Sequence, residues 1–535
     1  MSNPDLYSRS PQALPISFLP RTMDTLYPGI VLCLAALCGG ILLYKFVAEP
    51  NKQLPPGPRR TPLVGNALQI PQVTPWKTFS EWTKKYGDLM HVDIFGRPMA
   101  IISSAKVAKD LLDKRSLIYS NRPHFVMAGE LAGYDGSFVL QQYGENWRQQ
   151  RKLIAQELGQ GRANRYHPLQ EKEARTLIRN ILEDASTLES QIKLRIGTII
   201  IRVTYGYYIS DENDPLLTVP LVAMANFSEA TAPGNFLVDF IPMLKHMPRW
   251  MPGSGFLRKA EEWRRVVWES TRNPYYWSKA NLETGAALTP NICGTVIQDA
   301  NGELTEEEET RLIWATSTVM GGGLDTNMST ALTFFLAMIT HPEVQKKAHE
   351  EIISAVGSNR LPTIADKDSL PYVRSVITEV LRWNPAVPLG IPHALSQDDV
   401  YDSWFLPKDT LLMPNVWHMF HDPEVYDDPL AFNPERYNND DSEMRKITDL
   451  AFGFGRRACP GFYFAEGTLY AIVLTALTCC EILPELDDEG KPIIPNVTYT
   501  PGSISFPGPF QVRLKPRSLR AVEMLEETTD LRITE

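Results

Sequence analysis

The sequence predicts a mainly α-helical protein with small β-sheets, preceded by one N-terminal transmembrane helix. Three observations carry that reading. An acidic cluster, Glu306–Glu309, opens a stretch running through Leu312, Ile313, Thr316 and Val319 to Ile339, a helix of roughly 30 residues whose N-terminus favours negative charge. A second apolar run, Phe462 to Leu474, reads as a buried helix. The strand-like segments are short and few: Leu89–Ile94, Met99–Ser103, Val400–Phe405 and Thr410–Pro414.

Bulk properties narrow the class. At 535 residues the chain exceeds an ordinary domain, although single large enzyme domains exist. With 43% hydrophobic and 22% charged residues it has ample material for a core. A net charge of −10, from 53 basic and 63 acidic residues, argues against nucleic acid as the main partner. Six cysteines, at 33, 38, 293, 459, 479 and 480, show no paired spacing, so a reducing compartment is expected rather than a disulfide framework. No metal-finger spacing, Walker loop or dinucleotide fingerprint occurs, and Gly321-Gly322-Gly323 lacks what a Rossmann turn requires.

Taken in order, residues 1–24 are a polar tail. Residues 25–44 carry no charge and suffice, at about 1.5 Å per residue, for the ~30 Å core of a bilayer. Lys45-Phe46-Val47-Ala48-Glu49 offers no clear cleavage site, so a retained anchor is expected rather than a signal peptide. Basic residues are denser after it (Lys45, Lys52, Arg59, Arg60) than before it (Arg9, Arg21), placing the body in the cytosol. The sequons at Asn226, Asn327 and Asn496 then stay unglycosylated. Residues 45–58 form a linker stiffened by Leu54-Pro55-Pro56-Gly57-Pro58, and residues 59–535 form the main domain. A helix is expected around Trp76–Tyr86, and Phe95-Gly96-Arg97-Pro98 as the turn between two strands. Trp147 and Arg151, four apart, share a helix face. Residues 215–255 are apolar, but prolines 233, 242, 248 and 252 break any long helix. Inside the long helix, each of Gly321–Gly323 costs about 1 kcal/mol against alanine. Close approach of a flat ligand would account for them, as would a local bulge opening a groove. Glu379 and Arg382 are spaced to pair, but so are Glu145/Arg148, Glu261/Arg264 and Glu308/Arg311. Val387, Leu389 and Ile391 are expected to point into a pocket, and the turn at Gly502–Phe506 to touch its contents. Residues 523–530 read as a solvated tail.

The chemistry concentrates in Phe452-Gly453-Phe454-Gly455-Arg456-Arg457-Ala458-Cys459-Pro460-Gly461. A thiolate is a soft anionic metal ligand. The glycines permit close backbone approach and positive φ, Arg457 can pair with a carboxylate, and the helix that follows points its positive end at the sulfur. The stretch resembles the cysteine signature of the cytochrome P450 family, Phe-x-x-Gly-x-Arg-x-Cys-x-Gly, at every fixed position. Leu54–Pro58 is similar to the family's microsomal hinge, and the likeness extends over about residues 54–517. It is greatest to fungal secondary-metabolism members of the O-methylsterigmatocystin oxidoreductase type.

The resemblance implies the cytochrome P450 fold and haem b, its iron held by Cys459. It implies that Trp147, Arg151, His393 and Arg457 meet the haem propionates, and that Gly322, Gly323, Phe452 and Gly461 pack against the ring. Asp325 and Thr326 match the acid–alcohol pair that delivers protons, with Asn327 where relatives carry Thr or Ser. Glu379, Arg382 and Arg436 match a buried three-way network, and residues 215–255 a pocket roof. The implied activity is insertion of one oxygen atom from O2 into a lipophilic small molecule, in secondary metabolism or xenobiotic oxidation. Electrons come from NADPH–cytochrome P450 reductase, with cytochrome b5 as a further donor, docking over Arg148, Lys152 and Arg456. The implied location is the endoplasmic reticulum membrane. The alternative is a haem-thiolate isomerase or dehydratase needing neither O2 nor reductase, against which the Asp325-Thr326 pair weighs.

Overall fold

The computed structural model describes residues 53–529 apart from Gln72 and Pro233. The expected anchor at 25–44 lies outside them, as do the tail and linker up to residue 52. Two units are distinguished, one of Met1–Leu54 with Asp402–Phe405, the other of Pro55–Tyr401 with Leu406–Glu535. In the first, the Phe405 N–H donates to the Gln53 carbonyl (2.7 Å). The second holds the hydrophobic core and the cavity.

Helix α1 (Pro75–Tyr86) starts on a proline, whose fixed φ suits the first helical position. The hairpin β1 (Leu89–Ile94) and β2 (Arg97–Ile102) follows. Its turn is shorter than expected. Phe95 (φ 51°) and Gly96 (φ 79°) are both left-handed, the two-residue geometry whose twist matches the strands. Arg97 and Pro98 therefore join the ladder opposite Ile94 and Asp93.

The helical body comprises α2 (Glu145–Leu158), α3 (His167–Glu183), α4 (Leu188–Tyr205), α5 (Pro215–Thr231), α6 (Gly255–Asn281), α7 (Glu306–Thr340) and α8 (Pro371–Trp383). Past α5 the chain does break at its prolines, into short 3-10 turns at Leu237–Asp239 and Pro242–His246. Leu237, Met243 and Trp250 there are exposed rather than packed in the core.

The 35-residue α7 is the axis of the body. The Thr305 hydroxyl accepts from the Glu308 N–H while Glu308 accepts from Thr305, a capping box at its entrance. No bulge opens at the glycines, and α7 stays α-helical throughout. Glycine freedom is instead used for packing: a Cβ on Gly321 would lie 2.5 Å from Met224 Sδ of α5, and one on Gly323 2.9 Å from Ile200 Cδ1 of α4.

Strand β3 (His393–Ala394) pairs antiparallel with β4 (Leu411–Pro414), which runs parallel to β2, giving the sheet order β1-β2-β4-β3. Helix α9 (Phe462–Cys479) then crosses the core. Among the described residues it alone is long and apolar enough to span a membrane, but it is 78% buried within the fold, so it is a core helix. A further sheet, built on β5 (Cys480–Leu486) between β6 (Pro492–Ile493) and β7 (Val512–Pro516), precedes a last described helix, α10 (Leu519–Thr529). Its Ala521, Met524 and Leu525 are buried in the core, so the stretch expected as a solvated tail is in part packed rather than free.

Candidate functional site

A mostly apolar cavity of about 350 Å³ lies between α7, α5, α2 and the Cys459 loop. Cys459 is on its wall, and so are Gly322 and Thr326 of α7. The loop is set by backbone. The Cys459 N–H donates to the Phe452 carbonyl (2.7 Å). Gly455 has φ +50°, and a Cβ there would meet the Leu112 carbonyl oxygen at 2.2 Å, so only glycine fits. Phe452, on the cavity wall, packs edge-on against Phe462 (4.8 Å). A Cβ on Gly461 would sit 3.9 Å from Cys459 Sγ, an ordinary contact. The sulfur opens onto the cavity yet lies deep in the protein. Burial pushes the thiol up, while the Gly461 N–H and the Arg151 charge pull it down.

One end of the cavity is cationic. Arg457 donates to the carbonyls of Ser120 (2.8 Å), Phe138 (2.9 Å) and Gln141 (2.6 Å). Arg151 donates to the Ala458 carbonyl. Arg122, which sequence reasoning missed, donates to Val139, Ile391 and Pro392 (2.9, 2.6 and 2.8 Å). No ion pair among the described residues engages any of the three. Burial pushes the Arg457 guanidinium down to about 9, with the Arg151 charge adding to the effect. Burial, then the charges of Arg457 and Arg151, lower Arg122. The Trp147 ring lies beneath Arg457 (4.7 Å) and Arg151 (5.6 Å), and its buried Nε1–H has no partner among the described residues. His393 Nδ1 pairs with the Tyr119 carbonyl (2.7 Å), and burial, with the Arg122 charge, holds its pKa far below the usual range.

Buried cations are normally paired, and a buried N–H normally finds an acceptor. Three arginines without a carboxylate, beside an orphaned indole N–H, fit an anionic group. A cavity with a thiol on its wall and a helix bare at Gly322, where a Cβ would meet nothing within 4 Å, fits a flat metal-bearing one. The donor set therefore suits haem: a soft sulfur for iron and a cationic end for two carboxylates.

The other expected residues divide between the cavity wall and positions behind it. Asp325 is buried but off its wall; burial pushes its carboxyl up to about 7, against the pull of Lys193 on α4. Thr326 is on the wall, its hydroxyl donating to the Gly322 carbonyl (2.8 Å). Gly323 borders the cavity, but its missing Cβ makes room for Ile200. Of the three residues expected to point inward, Val387 and Ile391 line the cavity. Leu389 packs beside the first sheet with Trp76 and Met413 instead, because the Gly390 turn (φ +58°) sends it the other way. Ser503 and Ile504 of the late turn reach the wall.

Glu379, Arg382 and Arg436 come together away from the cavity. Glu379 accepts from Arg382 Nε (2.8 Å) and Nη2 (2.7 Å), Arg436 Nε (3.1 Å) and the Asn433 N–H (2.8 Å). It also accepts from the Tyr437 hydroxyl (2.7 Å), a member that spacing alone did not reveal. Of the expected docking residues, Arg148 is paired with Glu145 (2.8 Å), Arg456 donates to the Tyr143 hydroxyl, and Lys152 is exposed.

A family model described as Cytochrome P450 matches residues 55–511. Cytochrome P450 monooxygenase 105 of Postia placenta is 51% identical over 492 residues, 92% of this chain and 94% of its own length. Cytochrome P450 monooxygenase COX2 of Coprinopsis cinerea is 39% identical over 510 residues, 93% and 96% of the two chains. Cytochrome P450 monooxygenase claR of Ampulloclitocybe clavipes is 36% identical, covering 94% of each.

Proposed function

This chain belongs to the cytochrome P450 family and is a haem-thiolate monooxygenase; from that premise we propose how its residues serve the reaction. Cys459 would hold the iron, and Trp147, Arg122, Arg151, Arg457 and His393 the two propionates. Haem, when bound, supplies the activation of O2 and the oxidising power. The chain supplies binding, orientation and protons. Two propionate charges placed there would offset the mutual repulsion of the three arginines. Phe452, Gly461 and the bare backbone at Gly322, all on the cavity wall, would give a flat group room to pack.

Thr326 is the proton-handling group at the wall. Its own proton rests on the Gly322 carbonyl, leaving lone pairs to hold a water on the cavity side. Asp325, the next residue back, is poised near neutral pH beside Lys193. It is suited to pass protons from the α4 side of the helix toward that water. An isomerase or dehydratase would not need this pair, and the relatives named above are monooxygenases.

The substrate is a lipophilic small molecule, in keeping with the apolar walls. A monooxygenase of this family takes electrons from a redox partner; we take it to be NADPH–cytochrome P450 reductase, with cytochrome b5 as a further donor, meeting Arg148, Lys152 and Arg456. The uncharged segment 25–44 anchors the protein in the endoplasmic reticulum membrane with residues 59–535 in the cytosol, and fungal secondary metabolism is the setting. The observation that carries the whole is the Cys459 thiol on the wall of an apolar cavity whose cationic end has no counter-charge. The test is the carbon-monoxide difference spectrum of the reduced protein. The band diagnostic of iron–thiolate ligation is expected, together with NADPH- and O2-dependent product formation when a reductase is added. Folded protein without porphyrin and without that band would overturn the assignment.

A further inference from the structure

Two hydroxyls that meet on the cavity wall, Thr318 of α7 and Ser137, are not free to donate. Thr318 Oγ1, one helical turn before Gly322, donates to the Trp314 carbonyl (2.6 Å). It also lies 2.9 Å from Ser137 Oγ. A hydroxyl has a single proton, so in that contact Ser137 donates and Thr318 accepts. Ser137 Oγ in turn accepts from the Val139 N–H (3.3 Å). Both protons are thereby committed to the protein, and each oxygen keeps one lone pair. The arrangement recurs at Ser503: Thr231 donates to the Phe227 carbonyl (2.8 Å), so Ser503, 3.0 Å away, donates to Thr231. Both Ser137 and Thr318 line the cavity, amid walls that are otherwise largely apolar.

Resting on the monooxygenase reading, we propose that the Ser137–Thr318 pair is a substrate subsite that accepts a hydrogen bond, and that the substrate is an apolar alcohol whose O–H it reads. Thr318 lies roughly 6 Å along the helix axis from Gly322 and roughly 12 Å from Thr326. The anchored hydroxyl is therefore remote from the carbon that reacts near Gly322 and Thr326. A ketone or ether of the same shape brings only acceptors to a pair that has only acceptors left, so it enters with its oxygen and the pair both unsatisfied.

The test uses the haem-loaded full chain and matched probes: farnesol against farnesyl methyl ether, menthol against menthyl methyl ether, dodecanol against dodecyl methyl ether. Affinity is read from the perturbation of the haem absorption spectrum on titration. Wild type is expected to bind the better-fitting alcohol about tenfold more tightly than its ether, the effect of one neutral hydrogen bond. Thr318→Val removes an acceptor and frees the Ser137 proton, so the preference should vanish or invert; Thr318→Ser should keep it. Equal binding of alcohol and ether by wild type, no spectral response to any alcohol, a preference that survives Thr318→Val or one lost in Thr318→Ser would each overturn the inference. The carbon-monoxide band separates the two levels. Without it the monooxygenase reading itself fails, whereas an intact band with no alcohol preference sinks the subsite alone.

Discussion

Removal of the Glu379 carboxylate should cost the protein its ability to hold haem. The side chain is wholly buried, as is Arg382, its ion-pair partner at 2.7 Å. Glu379→Ala withdraws an acceptor from five donor atoms at once, on Arg382, Arg436, Asn433 and Tyr437. Arg382 Nη1 still reaches the Phe420 and Pro429 carbonyls (2.7 and 2.8 Å), but its charge is left without a counter-ion in the interior. Breaking a buried pair from one side costs roughly 3–5 kcal/mol, set against a total stability on the order of 5–15 kcal/mol. Glu379→Gln keeps the volume but turns amide hydrogens toward a guanidinium that can only donate, so it should recover little. Urea unfolding of the haem-loaded protein, followed by far-ultraviolet circular dichroism and haem absorbance, gives the midpoint, and the purified haem-to-protein ratio gives occupancy. An alanine variant matching wild type in midpoint and haem content would refute the reasoning.

Four further expectations come from particular residues. Gly322→Ala should raise stability by up to about 1 kcal/mol, since a Cβ there meets nothing, and lower turnover by intruding on the cavity. Gly455→Ala, at φ +50° against the Leu112 carbonyl, should destabilise; thermal melts and turnover compare the two. For Asp325 the folded carboxyl titrates at about 7, above the roughly 3.9 of an unperturbed Asp. The neutral form's stabilisation is complete below the lower value and is lost as pH rises through the upper one. Wild-type unfolding midpoints should therefore fall between about pH 4 and 7, more steeply than those of Asp325→Asn, and parallel slopes would be the contrary result. Trp147→Phe removes a buried N–H that has no partner among the described residues. Its loss should leave the apoprotein near wild type while haem, transferred to an acceptor globin, dissociates several-fold faster; an unchanged dissociation rate would contradict the role given to that N–H.

What could be read from the sequence was whatever a local pattern encodes. Glu306–Glu309 ahead of an apolar run marked α7, and the glycines around Cys459 marked a loop needing positive φ. Arg122 was invisible because nothing in Asn121-Arg122-Pro123 announces a partner; its three acceptors lie 17 to 270 positions away in the chain. Tyr437 follows Arg436 directly, but only the fold turns its hydroxyl to Glu379. Leu389 went astray because alternation along a loop stops predicting direction once Gly390 takes a positive φ. Gly321 and Gly323 border the cavity, but no local pattern signalled that their missing Cβ atoms also make room for Met224 and Ile200 of the neighbouring helices. The Ser137–Thr318 pair joins residues 181 apart and has no sequence signature.

The unpaired arginines bear on how much of this enzyme a cell can keep. A ligand that binds only the native state raises its stability in proportion to the logarithm of free ligand over Kd, and here such a ligand would also quench a repulsion that polypeptide lacking porphyrin must carry. Nascent chains made while tetrapyrrole is scarce should open more often and be cleared sooner by proteases, so intracellular abundance should track haem biosynthesis even when messenger levels stay constant.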